Sequence, residues 1–271
     1  TGPAIGVRNI DTGITKCVNN VEICTTTITN TGLLTGLGTS IQTATIAIDP
    51  AGEGNAARTI VNNSGTITTQ SGSINDYAIA VGSPLDTRVT VNNTGIITGR
   101  IEINQNGAEF NNSRGWVSSG NSKFLGGENH VTNAQGATML AVGDTTILMD
   151  GSNNRITNNG TIRTVAGNLL LDPPNNLLTV YNSGLIDMVN DGSSSVSNTV
   201  TVDGNFVASG NSTVAVNSQL GGIGSQSDRL MIAGNASGSN TNIVVRDTKG
   251  GVGAYNPFGT AVVGVAGDRL S

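Results

Sequence analysis

The sequence is short of rings. Its 271 residues contain four Phe, three Tyr and one Trp, 3% of the chain. Each aromatic side chain buries a large apolar area. A core that does without them has to be narrow and layered from small aliphatic residues. Charge is scarce too: Asp, Glu, Lys and Arg make up 11%, and the net charge is −5. That balance excludes charge-driven disorder, and regularly placed Val, Ile and Leu exclude a polar low-complexity linker. The three lysines (Lys16, Lys123, Lys249) and the arginines are spread along the chain without a basic patch, so nucleic acid is not an expected partner. No apolar run approaches the roughly 20 residues of a membrane-spanning helix. No cleavable leader is recognisable at Thr1. Its removal, or a start inside a longer protein, accounts equally for that.

There are two cysteines, Cys17 and Cys24, in CVNNVEIC. Their separation exceeds the roughly two to four residues usual between paired zinc ligands. The single histidine, His130, is far away, so neither a metal nor a cofactor is expected. A local Cys17–Cys24 disulfide is the better reading than two unpaired thiols, and it points to an oxidising compartment.

What the sequence does have is repetition. Residues 59–69 read TIVNNSGTITT and residues 89–99 read VTVNNTGIITG. The shared unit is aliphatic-x-Asn-x-Gly-x-aliphatic. It occurs at Ile28-Thr-Asn30-Thr-Gly32-Leu-Leu34 and is centred again on Asn63, Asn93, Asn158 and Asn182. Degraded copies run from Phe110 to Val117 and from Val131 to Thr138. The motif glycines fall at 32, 65, 95, 115, 136, 160 and 184. Steps of roughly 20–30 residues mark a solenoid. The longer first steps place inserted loops near 43–57 and 71–87.

Around each motif the apolar letters alternate, which is strand periodicity, and β-branched residues suit a pleated surface. The Asn-x-Gly step reads as a corner in which both residues tolerate positive φ. Coils stacked about 4.8 Å apart would align Val61, Val91, Ile156 and Val180. Asn30, Asn63, Asn93, Asn158 and Asn182 would form a corner ladder of amides. The fold class is therefore all-β: a single-stranded parallel β-helix of about 10–12 coils. A β-sandwich would explain the alternation but not one motif recurring at coil-length intervals.

The rungs resemble the passenger β-helix of type V autotransporters of Gram-negative bacteria. The stretch from Ser227 to Gly238, SDRLMIAGNASG, is similar to one near the end of many passengers. It is followed by Asn242-Ile-Val-Val-Arg-Asp, a Gly-rich turn at 250–253 and Gly259-Thr-Ala-Val-Val-Gly-Val. That succession resembles the autochaperone region, where folding of the family's passengers is seeded. The resemblance implies residues 1–205 as β-helical passenger and 206–271 as an autochaperone-like cap. It also implies a rod secreted through the outer membrane to the cell surface, and the chain's own outer-membrane β-barrel as a partner lying outside this sequence. Many passengers avoid cysteine; the short spacing between Cys17 and Cys24 fits the better-tolerated case.

Enzymatic chemistry is not expected. There is no GDSGG, G-x-S-x-G or GDSL, and the acids Glu53, Asp76, Asp86, Glu102, Glu109, Glu128, Asp144 and Asp150 are scattered. A polysaccharide-cleaving β-helix would need acids converging in a cleft; that is the enzymatic alternative. Leu220–Asp228 falls short of a calcium nonapeptide, because its Asp comes late and no second copy follows. The expected function is adhesion to a host cell-surface or extracellular-matrix protein or glycan, or homotypic self-association. A stalk for a missing head is the other alternative. Arg114, Trp116, Lys123 and Phe124 are candidate binding residues, since exposed Trp and Arg dominate interface hot spots. The competing reading puts Trp116 in the core, where the motif is degraded.

Overall fold

The computed structural model describes residues 4–8, 24–49, 57–82, 88–104, 107–173, 178–189, 195–250 and 253–268. The chain is a parallel β-helix with three faces. Nine strands, from Cys24–Asn30 to Ala236–Gly238, stack as the first face. The remaining 17 strands form the second and third faces. Those two faces merge into one sheet because Gly115–Leu125 and Thr138–Met149 each run across both. Nine complete coils are therefore described, with the strand Ile5–Arg8 extending the third face by one more rung against Ile46–Asp49.

Each motif supplies the end of a first-face strand, a corner, and the start of a second-face strand. Register is kept coil after coil. Ile28, Val61, Val91, Phe110, Val131, Ile156, Val180, Phe206 and Ala236 stand in one file. All except the last, which is half-buried, are buried. A second file runs Leu34, Ile67, Ile97, Trp116, Met139, Ile162, Ile186, Val214 and Ile243. Each buried aliphatic side chain contributes on the order of 1.5–3 kcal/mol.

The motif asparagines form a continuous internal ladder. Asn30 Nδ2 donates to Asn63 Oδ1 (2.7 Å), Asn63 to Asn93 (2.7 Å) and Asn93 to Asn112 (2.8 Å). Asn112 donates to Asn133 (2.8 Å), Asn133 to Asn158 (2.8 Å) and Asn158 to Asn182 (2.7 Å). The second proton of each amide meets a corner carbonyl of the following coil, such as Ile96 O for Asn63 and Gly115 O for Asn93. Buried polar groups have to be paired, and here each amide completes its neighbour. Asn112 and Asn133, from the degraded copies, belong to the same ladder. Beyond Asn182 the chain substitutes hydroxyls: Asn182 donates to Ser212 Oγ (2.9 Å), which bonds Thr241 Oγ1 (3.1 Å).

The corner glycines differ from expectation. Of the seven, only Gly136 has positive φ, at 80°. At Gly65, Gly95, Gly160 and Gly184 the reason for glycine is that consecutive corners lie against one another. A Cβ on Gly65 would overlap the carbonyl oxygen of Gly32, one on Gly95 that of Gly65, and one on Gly184 that of Gly160.

The segments expected as inserted loops are also corrected. Each contains a coil strand of the third face, Ile46–Asp49 and Tyr77–Val81. The extra length lies partly in turns ahead of these strands, at 37–45 and 70–76; residues 50–56 and 83–87 fall outside the described set. Cys17 lies outside it as well, so the disulfide expectation does too. Stacking continues past residue 206 without a break.

Candidate functional site

The four residues proposed to bind do not share a surface. Trp116 and Phe124 are buried. With Phe110 they fill one coil, one ring from each face, with centroids 5.1, 6.2 and 6.4 Å apart. Trp116 Nε1–H donates to Gly99 O at 2.9 Å. Both rings are core residues and are withdrawn as binding residues; the coil is short, and three rings fill what aliphatic side chains fill elsewhere. Arg114 is exposed, while Lys123 is half-buried and pairs with Glu102 at 3.4 Å. Trp116→Phe is expected to lower stability by about 1–3 kcal/mol through the unpaired Gly99 carbonyl. It should leave ligand binding unchanged. Urea unfolding followed by circular dichroism checks the first, and a ligand lost at full stability would restore a surface role for the ring.

The acids brace neighbouring coils. Asp144 Oδ1 accepts both the backbone and the side-chain N–H of Asn168 (3.0 and 3.1 Å) and Glu128 accepts from Asn153 (3.0 Å), whereas Asp76 accepts from Ser71 (2.5 Å) within its own turn. His130 is half-buried on the outside of the first face, in register between Glu109 and Arg155. Asp172 ends one third-face strand and Asp203 directly follows the adjacent one, Thr199–Val202. Burial raises the Asp172 pKa, and the Asp203 charge adds to the rise. Among the described residues no three His, Cys, Asp or Glu side chains are grouped to hold a metal.

The most concentrated polar chemistry is at Ser227 and Asp228. Asp228 is fully buried. Its Oδ1 accepts the backbone N–H of Asn198 and its Oδ2 that of Asn217, both at 2.9 Å. Its own N–H donates to Asn217 O, and that of Arg229 donates to Asn198 O. Asn198 Oδ1 reaches back to Gly167 N–H (3.1 Å), and Asn217 Nδ2 to Met188 O (3.2 Å). Ser227 Oγ donates forward to Ala261 O at 2.7 Å. One dipeptide thus ties successive C-terminal coils together. Burial raises the Asp228 pKa, against the opposing pull of the Asn217 and Asn198 hydrogen bonds.

The rest of SDRLMIAGNASG is equally structural. Leu230 and Ile232 enter the core while Arg229 and Met231 face out. Gly234 packs on Gly204, and Asn235 Oδ1 accepts Asp268 N–H at 2.8 Å. Sequence reasoning singled out this stretch but missed the role of Asp228. The signal was a charged residue directly ahead of an alternating apolar run. Past it, the core opens into a cavity of about 370 Å³ lined by Phe206, Val214, Ile232, Ile243 and Val265. Tyr255 and Phe258 project from the adjoining turn, 86% and 84% exposed.

No curated protein matches the chain. Residues 175–270 match the family described as Autochaperone Domain Type 1, a span that takes in the Asp228 clamp and reaches one coil ahead of residue 206. The clamp, the unbroken coils and this match support an autotransporter passenger that carries its autochaperone domain at the C-terminal end.

Proposed function

We propose that this passenger is a surface-exposed adhesin, carried across the outer membrane of a Gram-negative bacterium, and that it binds through the outside of its coils. The observation that carries the reading is the outer file of the first face. Asn62, Asn92 and Asn111 stand in register there and continue into Thr132, Thr157 and Tyr181. Asn92 Nδ2 donates to Asn62 (2.9 Å) and Asn111 to Asn92 (3.1 Å). Tyr181 is 40% exposed, with the Arg155 guanidinium 5.6 Å from its ring centroid. Regularly spaced amides and hydroxyls on a flat sheet suit the hydroxyls of a glycan or the polar surface of a matrix protein. They also suit a second rod.

The reading is non-enzymatic: Glu102, Glu128, Asp144, Asp187 and Asp228 bond across coils as braces. The test is binding of the purified chain to a glycan array and a matrix-protein panel, alongside attachment and aggregation of cells displaying the full protein. Saturable binding with matching attachment supports adhesion. Silence in all assays returns the rod to a spacer.

A further inference from the structure

Arg58 and Arg88 are in-register partners on adjacent strands of the first face. Like charges directly opposed across strands are destabilising, and a rung separation of about 4.8 Å keeps their stems close. The described ion pairs, Lys123–Glu102 and Arg163–Asp187, include neither arginine. Arg58 does not turn away from its neighbour. One Nη donates to Thr90 Oγ1 at 3.4 Å, which draws its fork over the coil that carries Arg88. Its Nε is buried and without a hydrogen-bond partner. Arg88 is exposed. The carboxylate facing Thr90 in register is Glu109, whose Oε1 accepts from Asn111 at 3.2 Å. The outer amide file of Asn62, Asn92 and Asn111 runs alongside.

We propose that Arg58 and Arg88 form an anion-binding fork pair for an acidic polysaccharide. One sulfate or carboxylate of the polymer sits between the two guanidinium groups, which present planar donors to such anions. Hydroxyls of neighbouring sugar residues meet the amide file, while the buried Thr90 holds the Arg58 fork in place. Among the described residues no carboxylate pairs with either arginine, and the ligand supplies the counter-charge. The inference gives the adhesin reading a ligand class and rests on it for its biological use; the site itself is tested without it.

The experiment measures binding of the purified chain to dextran sulfate, to polygalacturonate and to neutral dextran at physiological ionic strength. Arg58→Gln with Arg88→Gln is compared with a control of equal charge change, Lys249→Gln with Arg229→Gln, both exposed and away from the fork. The fork variant is expected to bind the polyanions at least about tenfold more weakly, while the control stays within about twofold of wild type. A preference between sulfate and carboxylate polymers identifies the group held. Thermal unfolding guards against misfolding: relief of repulsion should leave the fork variant no less stable than wild type, and polyanion should raise the melting temperature of wild type only. Equal losses in both variants, unchanged binding in the fork variant, or no polyanion binding by wild type each overturn the proposal. Attachment of displaying cells is scored separately. If it is unaffected by loss of the fork, the site stands and its adhesive use fails.

Discussion

Asn93→Leu is expected to destabilise the rod by about 3–6 kcal/mol, since each buried group left unpaired costs about 1–3 kcal/mol. Asn93 Oδ1 accepts Asn63 Nδ2–H at 2.7 Å and Gly95 N–H at 3.3 Å, and its Nδ2 donates to Asn112 Oδ1 at 2.8 Å and to Gly115 O at 2.9 Å. Leucine fills similar space but leaves donors on one side and acceptors on the other with no route to water, because Asn63 and Asn112 are both buried. Asn30→Leu, at the first amide of the described ladder, should cost less. Among the described residues Asn30 has a ladder partner on one side only, through Asn63. Urea unfolding read by the fluorescence of Trp116, the sole tryptophan and a neighbour in the next coil, makes the comparison. Equal, sub-kilocalorie effects at both positions would mean the amides are bystanders to aliphatic packing.

Asp228→Ala is expected to cost about 2–5 kcal/mol, because it strips the acceptors from two buried backbone N–H groups, those of Asn198 and Asn217. Asp228→Asn should rescue only part, since its amide nitrogen would face one of those donors. The loss has a pH signature. The folded pKa of Asp228 is raised above the ordinary aspartate value of 3.8. A raised pKa means the folded state holds its proton more tightly than the unfolded chain. The associated stabilisation is complete below the unfolded value and is lost as pH rises through the folded one. The deficit of Asp228→Ala should therefore widen as pH falls from neutrality toward that value. Urea midpoints at neutral and mildly acidic pH measure it; a deficit that shrinks on acidification would show a carboxylate favoured in its charged form. Because residues 175–270 match an autochaperone domain, refolding should slow as well, and by more than for Trp116→Phe. Interactions formed in a folding nucleus act on the folding rate, and those outside it act mainly on unfolding.

Much of the fold was legible because its rules are local. Two-residue alternation gives strands, and a corner motif recurring at coil length gives stacking. Together they put Val61, Val91, Ile156 and Val180 in one file before any coordinate was known. The same rules named five ladder asparagines. They missed Asn112 and Asn133 as members because those copies depart from the motif after the Asn. Trp116 stands in register with Ile97, so the Asn112 copy only carries its Gly one place late, whereas Met139 stands in register with Ile162, so the Asn133 copy holds its extra residues in the corner.

Side-chain environment was less legible. The sequence left Trp116 open between a surface cluster with Arg114, Lys123 and Phe124 and a place in the core; Trp116 and Phe124 lie inside because each follows the inward phase of its own strand. The corner glycines suggested positive φ, whereas at Gly65, Gly95, Gly160 and Gly184 the cause is a carbonyl of the previous corner, which no single copy of the motif reveals.

The amino-acid sequence by itself determined the repeat, the strand phase and the small-residue core, all properties of neighbours along the chain. Only the tertiary structure decided what each residue meets across coils: Asp228 under two backbone amides, and Arg58 beside Arg88. Coil lengths vary from one turn to the next, so vertical partners are set by where intervening turns place the chain, and no fixed spacing predicts them.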